Sequence, residues 1–251
     1  MRKMKFKKRS IFIIISILLL SSIFGTSTDI SAKTSSKKTV YGGKLIIVGD
    51  SRTRNMCKWV KTNDIETRFV SKPGKGYDWF ISEGAAEATS IAESGDTILV
   101  WLGVNDYDMF SLYSKYKKAP WELYTEAINK LAKTDWAKCK VCVAGVGYVD
   151  RGRIINYYGK DNRSNISSIT NRLPINGIKG FNTYLKTKLD SNITWINTTS
   201  VIGIKASDNS TSSNLWLKRS NGLYDGLHYN KKTTQKIYDY FAKTVLELNA
   251  R

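Results

Sequence analysis

Five short apolar runs, with stretches of helical periodicity between them, restrict this chain more than any other feature of its sequence. They fall at residues 44–49, 65–70, 97–102, 140–146 and 193–197. The run Thr97 to Leu102 is apolar almost throughout, as a strand buried on both faces must be. Amphipathic segments fill the gaps. Met56, Trp59 and Val60 share one helical face, and a second helix is predicted from Asp78 to Glu93. Tyr124, Ala127, Ile128 and Leu131 line a third, residues 174–190 form a fourth, and Ile237, Phe241, Val245 and Leu248 line a fifth over Thr233–Asn249. Strands alternating with helices argue for one parallel sheet covered by helices on both sides, in a single domain over residues 44–251.

The connections are polar. Residues 33–43 read as a linker, and Ser71 to Gly76 as a loop broken by Pro73, Gly74 and Gly76. Tyr107 to Lys118 is an aromatic and basic insert, Val149 to Arg172 a long connection or lid, and Ser200 to Ser220 another polar stretch. The three cysteines include a Cys139-Lys140-Val141-Cys142 pair. Placed on a strand, cysteines three apart face opposite ways, which is poor geometry for sharing a metal. All three, Cys57 included, are read as small buried hydrophobes.

Residues 1–32 have the character of a targeting segment. Six basic side chains (Arg2, Lys3, Lys5, Lys7, Lys8, Arg9) precede an apolar run from Ile11 to Phe24, and small and polar residues follow it. A helix over that run spans about 21 Å, short of the roughly 30 Å hydrocarbon core. A secretory signal cleaved after Ser27 or Ala32 is therefore expected, with an uncleaved anchor as the alternative. This places the protein outside the cytoplasm or at the cell surface. The formal charge of +19 stays strongly positive without this segment. That favours an anionic neighbourhood such as wall polymer or acidic lipid. No basic-aromatic RNA motif or zinc-finger spacing is present, so no nucleic-acid partner is expected.

Chemistry collects at the ends of the predicted strands. The first strand runs into Gly49-Asp50-Ser51, which sets a hydroxyl at the mouth of the following helix. In open α/β sheets, ligands bind at that edge. A nucleophilic serine needs a base, and His228 is the only histidine in the chain. Asp225, three positions earlier, can turn back to hold the imidazole nitrogen that faces away from the serine. The segment Asp225-Gly226-Leu227-His228 is predicted as a loop ahead of the last helix. Gly103-Val104-Asn105-Asp106 follows the third strand, so the Asn105 amide should also reach the sheet edge, where it can donate to an oxyanion. Asp106 reads as a turn or cap residue, and Asp50 as a residue that shapes its turn. Gly76 offers a second, backbone donor, and Gly74 competes with it for that role.

In this order, the four blocks resemble those of the SGNH (GDSL-type) hydrolase family. The resemblance implies a three-layer α/β/α sandwich with a five-stranded parallel sheet of flavodoxin-like kind. It implies catalysis by Ser51, Asp225 and His228, with an oxyanion hole from the N–H groups of Ser51 and Gly76 and the Asn105 side chain. The loop Ser71-Lys72-Pro73-Gly74-Lys75-Gly76 departs from the family's common second block. Ester hydrolysis by this route passes through an acyl-enzyme and requires neither metal nor cofactor. A Gly-x-Ser-x-Gly elbow is absent, which disfavours the common α/β-hydrolase fold. Secretion, charge and aromatics placed near the mouth (Trp79, Trp101, Tyr107, Tyr113, Tyr116 and Trp121) suggest an acylated small molecule or glycan as substrate. The alternatives are a lipase or lysophospholipase and a non-catalytic module that binds wall or glycan.

Overall fold

Period-two alternation along the strands sorts the side chains into the two cores of the structure, a computed structural model that describes residues 42–62, 65–107, 110–159, 177–202 and 213–250. These residues belong to one compact unit, Thr39–Arg251. In strand β1 (Leu45–Gly49), Ile46 and Val48 face one helical layer, whereas Leu45 and Ile47 face the other. Strand β3 (Thr97–Trp101) divides in the same way, with Ile98 and Val100 on the first side and Leu99 and Trp101 on the second. Burying side chains of this size contributes about 1.5–3 kcal/mol each.

The sheet has five strands, all parallel, in the order β2-β1-β3-β4-β5, where β2 is Thr67–Ser71, β4 Lys140–Ala144 and β5 Ile193–Ile196. The expected three-layer α/β/α sandwich is the fold found. On one face lie α2 (Tyr77–Trp79), a π-helical turn (Phe80–Gly84) that continues into α3 (Ala85–Ile91), α5 (Pro120–Lys133) and α7 (Gly177–Lys188). On the other lie α1 (Ser51–Trp59) and α9 (Lys231–Asn249), and Phe241 of α9 meets Trp101 edge-on at 5.4 Å. The chain crosses from the β2 side of β1 to the β3 side. Such a reversal opens a crevice outside the carboxyl ends of the two strands, where ligands of this fold sit.

Several expectations need correction. The insert at 107–118 contains a helix, α4 (Phe110–Tyr116), and the connection from Val149 begins with α6 (Arg151–Tyr158). The polar stretch at 200–220 holds the end of α8 (Thr199–Ile202), a short 3-10 turn at Ser213–Leu215 and strand β6 (Trp216–Lys218). Asp225 to His228 lie in a strand, β7 (Tyr224–Tyr229), paired antiparallel with β6 in a second, two-stranded sheet. An aspartate and a glycine argue against a strand, but pairing with β6 and the stacking of Trp216 on Tyr229 (5.3 Å, 17°) override that preference. Trp79, Trp101, Tyr107 and Trp121 are buried in the core, leaving only Tyr113 and Tyr116 partly exposed among the aromatics expected near the mouth. Of the cysteines only Cys142 is buried. Cys57 is one position past the buried Met56 on α1 and so turns to solvent. Cys139 precedes β4 and is half-buried. The signal segment at 1–32, the rest of the supposed lid to Arg172 and residues 174–176 lie outside the described residues. Among those described, no helix is long and apolar enough to cross a membrane.

Candidate active site

Ser51 stands where it does because β1 stops and α1 starts within two residues. A Cβ on Gly49 would lie 1.9 Å from Thr53 Oγ1 and 2.8 Å from the Trp101 carbonyl, so only glycine lets the helix begin this close to the sheet. Asp50, buried beneath it, accepts a hydrogen bond from the Arg52 N–H at 2.8 Å and caps α1. Burial pushes the Asp50 carboxyl up, against the charge and N–H of Arg52. The Ser51 N–H, at the first helical position, has no carbonyl one turn behind it within the helix and stays available to an acceptor.

Strand β7 brings the other two residues to it. His228 Nε2 lies 2.8 Å from Ser51 Oγ, and His228 Nδ1 lies 2.8 Å from Asp225 Oδ2. A carboxylate only accepts, so Nδ1 carries the proton and Nε2 is left to receive one from the serine hydroxyl. Asp225 is wholly buried, and its Oδ1 accepts from the N–H groups of Leu227 (3.0 Å) and His228 (2.8 Å). Burial pushes its carboxyl up, but the hydrogen bond and charge of His228 and these two N–H groups outweigh it and hold the group below its ordinary value. Gly226 makes the close turn possible. Its φ is +66°, its carbonyl accepts from the Asp150 N–H at 2.8 Å, and a Cβ there would lie 2.4 Å from the Asp150 carbonyl.

Two arginines that the sequence reading did not single out complete this arrangement. Arg52 is buried and donates to three carbonyls, from Nε to Leu227 (3.0 Å), Nη1 to Gly147 (2.8 Å) and Nη2 to Tyr148 (3.0 Å). Its guanidinium also covers the Tyr229 ring at 4.6 Å. Arg219 leaves the end of β6 and grips Asp225 Oδ2 from Nε (2.9 Å) and Nη2 (2.6 Å). The position of Arg52 directly after Ser51 was the available signal for the first. For Arg219, six residues before Asp225 in a polar stretch, the hairpin that folds it back gave no clear mark in the sequence.

Asn105 and Gly76 meet at the carboxyl end of the neighbouring strand. Asn105 Nδ2 donates to the Lys75 carbonyl at 2.8 Å, which leaves a second amide hydrogen for another acceptor. Asp106 is more than a local turn residue: its buried Oδ2 accepts from the Tyr77 N–H at 2.6 Å and the Tyr124 hydroxyl at 2.5 Å. It thereby anchors the first residue of α2 and fixes the loop that carries Gly76. A Cβ on Gly76 would collide with that carboxylate at 1.9 Å, whereas Gly74 turns with φ +70° in open space. Gly76 is thus the glycine packed beside Asn105. Among the described residues, no hydrogen bond joins Asn105 or Gly76 to Ser51, and no group of three or more His, Cys, Asp or Glu side chains could hold a metal ion.

No protein-family model and no curated protein matches the sequence. Solved structures do match. One is a protein provisionally assigned as a platelet activating factor from Streptococcus pneumonia, at TM-score 0.55 and 12% identity, covering 82% of this chain and 86% of that one. LAE5, an alpha/beta hydrolase enzyme from the metagenome of Lake Arreo in Spain, matches at TM-score 0.52 and 13% identity over 83% and 97% of the two chains. A provisionally assigned acylhydrolase from Bacteroides fragilis matches at TM-score 0.51 and 12% identity over 90% and 100%. At such identities the likeness establishes a shared fold.

Proposed function

We propose that this chain is a serine ester hydrolase of the SGNH (GDSL-type) family. The observation that carries the reading is the continuous chain from Ser51 Oγ through the sole histidine to a buried carboxylate, with 2.8 Å at both links. The fold shared with a solved α/β hydrolase and a provisionally assigned acylhydrolase supports it.

In the proposed reaction, His228 Nε2 takes the Ser51 proton as Oγ attacks the ester carbonyl. Charge then develops on the carbonyl oxygen, where the N–H groups of Ser51 and Gly76 and the Asn105 amide donate to it. Asp225 stabilises the imidazolium that forms. The imidazolium returns its proton to the departing alkoxide, so alcohol leaves and Ser51 is acylated. Water, deprotonated by His228, repeats the addition, releasing the acid and restoring the serine.

Substitution of Ser51 by alanine should abolish hydrolysis of a short-chain aryl ester and labelling by a fluorophosphonate, with circular dichroism unchanged. Wild-type turnover in that variant would remove the assignment. Wild-type protein that neither turns over esters nor reacts with the probe would point to a wall- or glycan-binding module instead.

For the substrate we propose short acyl groups, O-acetyl foremost, on a glycan outside the cytoplasm. The signal-like segment 1–32 and the partly exposed Tyr113 and Tyr116 support this. An anionic wall or lipid surface is the proposed neighbour. Arg54, Lys58 and Lys61 of α1 and its C-terminal flank, with Lys231, Lys232 and Lys236 of α9, are exposed on one helical layer. Lys61 and Gln235 bridge the two helices through two backbone–side-chain hydrogen bonds. Comparing acetylated sugars with esters of graded chain length tests the substrate, and preference for long acyl chains would replace it with a lipase reading.

A further inference from the structure

The Arg219 guanidinium does something that a serine–histidine–aspartate chain does not by itself require. Asp225 already has its orientation, because Oδ1 is held by two backbone N–H groups. Arg219 adds a forked, charged grip on the remaining oxygen, Oδ2, which is also the partner of His228 Nδ1. Its Nη2 lies 3.0 Å from Nδ1 itself. A guanidinium has no acceptor and Nδ1 carries a proton, so this approach is not a hydrogen bond between them. It is a cation placed against the edge of the imidazole.

Charge explains the arrangement. Asp225 has no exposed surface, and a buried carboxylate needs a cation nearby. If the imidazole were the only candidate, the burial of Asp225 would favour a protonated His228, which cannot accept the serine proton. The other cations near His228 are already engaged. Buried Asp50, which caps α1, interacts with both Arg52 and His228, and Arg52 is spent on three carbonyls. At the start of α6, Asp150 and Arg153 pair at 2.9 Å. From β7 and the loop before α6, the Tyr229 hydroxyl donates to the Tyr148 carbonyl. Tyr157 and Tyr158 at the end of α6 interact with Arg219 itself, the first with its ring 5.6 Å from the guanidinium. Arg219 is left as the dedicated cation for Asp225.

We propose that Arg219 is a positioning residue of the reaction: as the resting-state counter-ion of Asp225, it lets His228 remain uncharged and ready to accept the serine proton. This rests on the ester-hydrolase reading for its consequence in catalysis, but the charge relation can be read without turnover. His228 is the only histidine, so its ring nitrogens give one set of NMR signals that report the charge and tautomer of the imidazole.

The test compares wild type, Arg219→Gln and Arg219→Lys by 15N NMR across pH and by pH profiles of kcat/KM on an aryl ester. In Arg219→Gln the imidazolium signals should persist to higher pH than in wild type. The acid limb of kcat/KM should move toward neutral pH, with about tenfold lost at its acidic end and the alkaline plateau largely kept. Arg219→Lys, which keeps the charge without the fork, should return the limb toward its wild-type place. Should the glutamine variant not fold, Arg219→Met keeps the packing against Tyr157 and takes its place. An unmoved NMR transition, or a uniform loss across the whole profile, overturns the proposal. Absence of ester turnover in wild type would fail the hydrolase reading alone, and the NMR comparison would still decide the role of Arg219.

Discussion

Arg52 Nε donates to the Leu227 carbonyl at 3.0 Å, and this one bond ties the residue after the proposed nucleophile to the residue before the proposed base. The partners are 175 positions apart in the chain. Ser51 is set by the first strand-to-helix turn and His228 by a hairpin near the end, so their 2.8 Å separation depends on how two unrelated elements are held together. Arg52 holds them, and its other two donors clamp the Gly147–Tyr148 backbone against the same strand.

A lysine at this position keeps the charge but cannot serve three carbonyls in different directions. Arg52→Lys should therefore lower kcat at least about tenfold while KM changes little, because an ångström-scale misplacement is felt chiefly in the chemical step. Arg52→Met, which removes all three donors and leaves the Tyr148 carbonyl to the Tyr229 hydroxyl alone, should cost about 2–4 kcal/mol in urea unfolding. A wild-type kcat in the lysine variant would remove Arg52 from the positioning of the site.

Asn105 should matter through its free amide hydrogen. Asn105→Ala is expected to lower kcat about 100- to 1,000-fold, as removal of an oxyanion donor does elsewhere. The same change also frees the Lys75 carbonyl, so unfolding must be measured beside turnover. A small kinetic effect with a large loss of stability would assign Asn105 to the loop and leave the oxyanion to backbone donors.

The sheet was legible because buried parallel strands must be apolar on both faces, which makes Ile46, Val48, Ile98 and Val100 conspicuous in any reading. Ser51, Asn105 and His228 were legible as candidates because strand ends are where the fold exposes polar groups, and because a single histidine leaves one choice for the proposed base. What the sequence hid depended on distant pairing. Tyr224 to Tyr229 becomes a strand only because Trp216 and its neighbours return to pair with it. Arg219 matters only because that same hairpin folds it onto Asp225. The tryptophans placed at the mouth were misassigned because an aromatic at the end of a strand packs inward as readily as outward, and here Trp101 meets Phe241.

The cysteines offer a check on the packing of α1 and β4 that is independent of catalysis. Burial pushes the Cys142 thiol up to about 12, which leaves almost no thiolate at neutral pH, while Cys57 is exposed on the outer side of α1. Iodoacetamide should therefore modify Cys57 in the native protein and reach Cys142 only after unfolding, as read by peptide mass spectrometry. Native labelling at Cys142 would contradict the placement of β4 inside the sheet.

Asp106 carries the sharpest expectation for stability. Burial pushes its carboxyl up from 3.8 to about 6, against the opposing hydrogen bonds from Tyr124 and the Tyr77 N–H. Between those two values the unfolded chain has released this proton and the folded protein still holds it. The contribution is thus fully present below the unfolded value and is lost as pH rises through about 6. A gap of about two pH units corresponds to about 3 kcal/mol. An asparagine in place of the acid can still accept from Tyr77 and Tyr124 but has nothing to ionise. Relative to wild type, Asp106→Asn should therefore gain about 2–3 kcal/mol between pH 4 and pH 7 in urea unfolding, since every other carboxylate cancels in the comparison. Parallel stability profiles for the two proteins would mean that Asp106 ionises at its ordinary value, and that the loop carrying Gly76 is held against a charged carboxylate throughout.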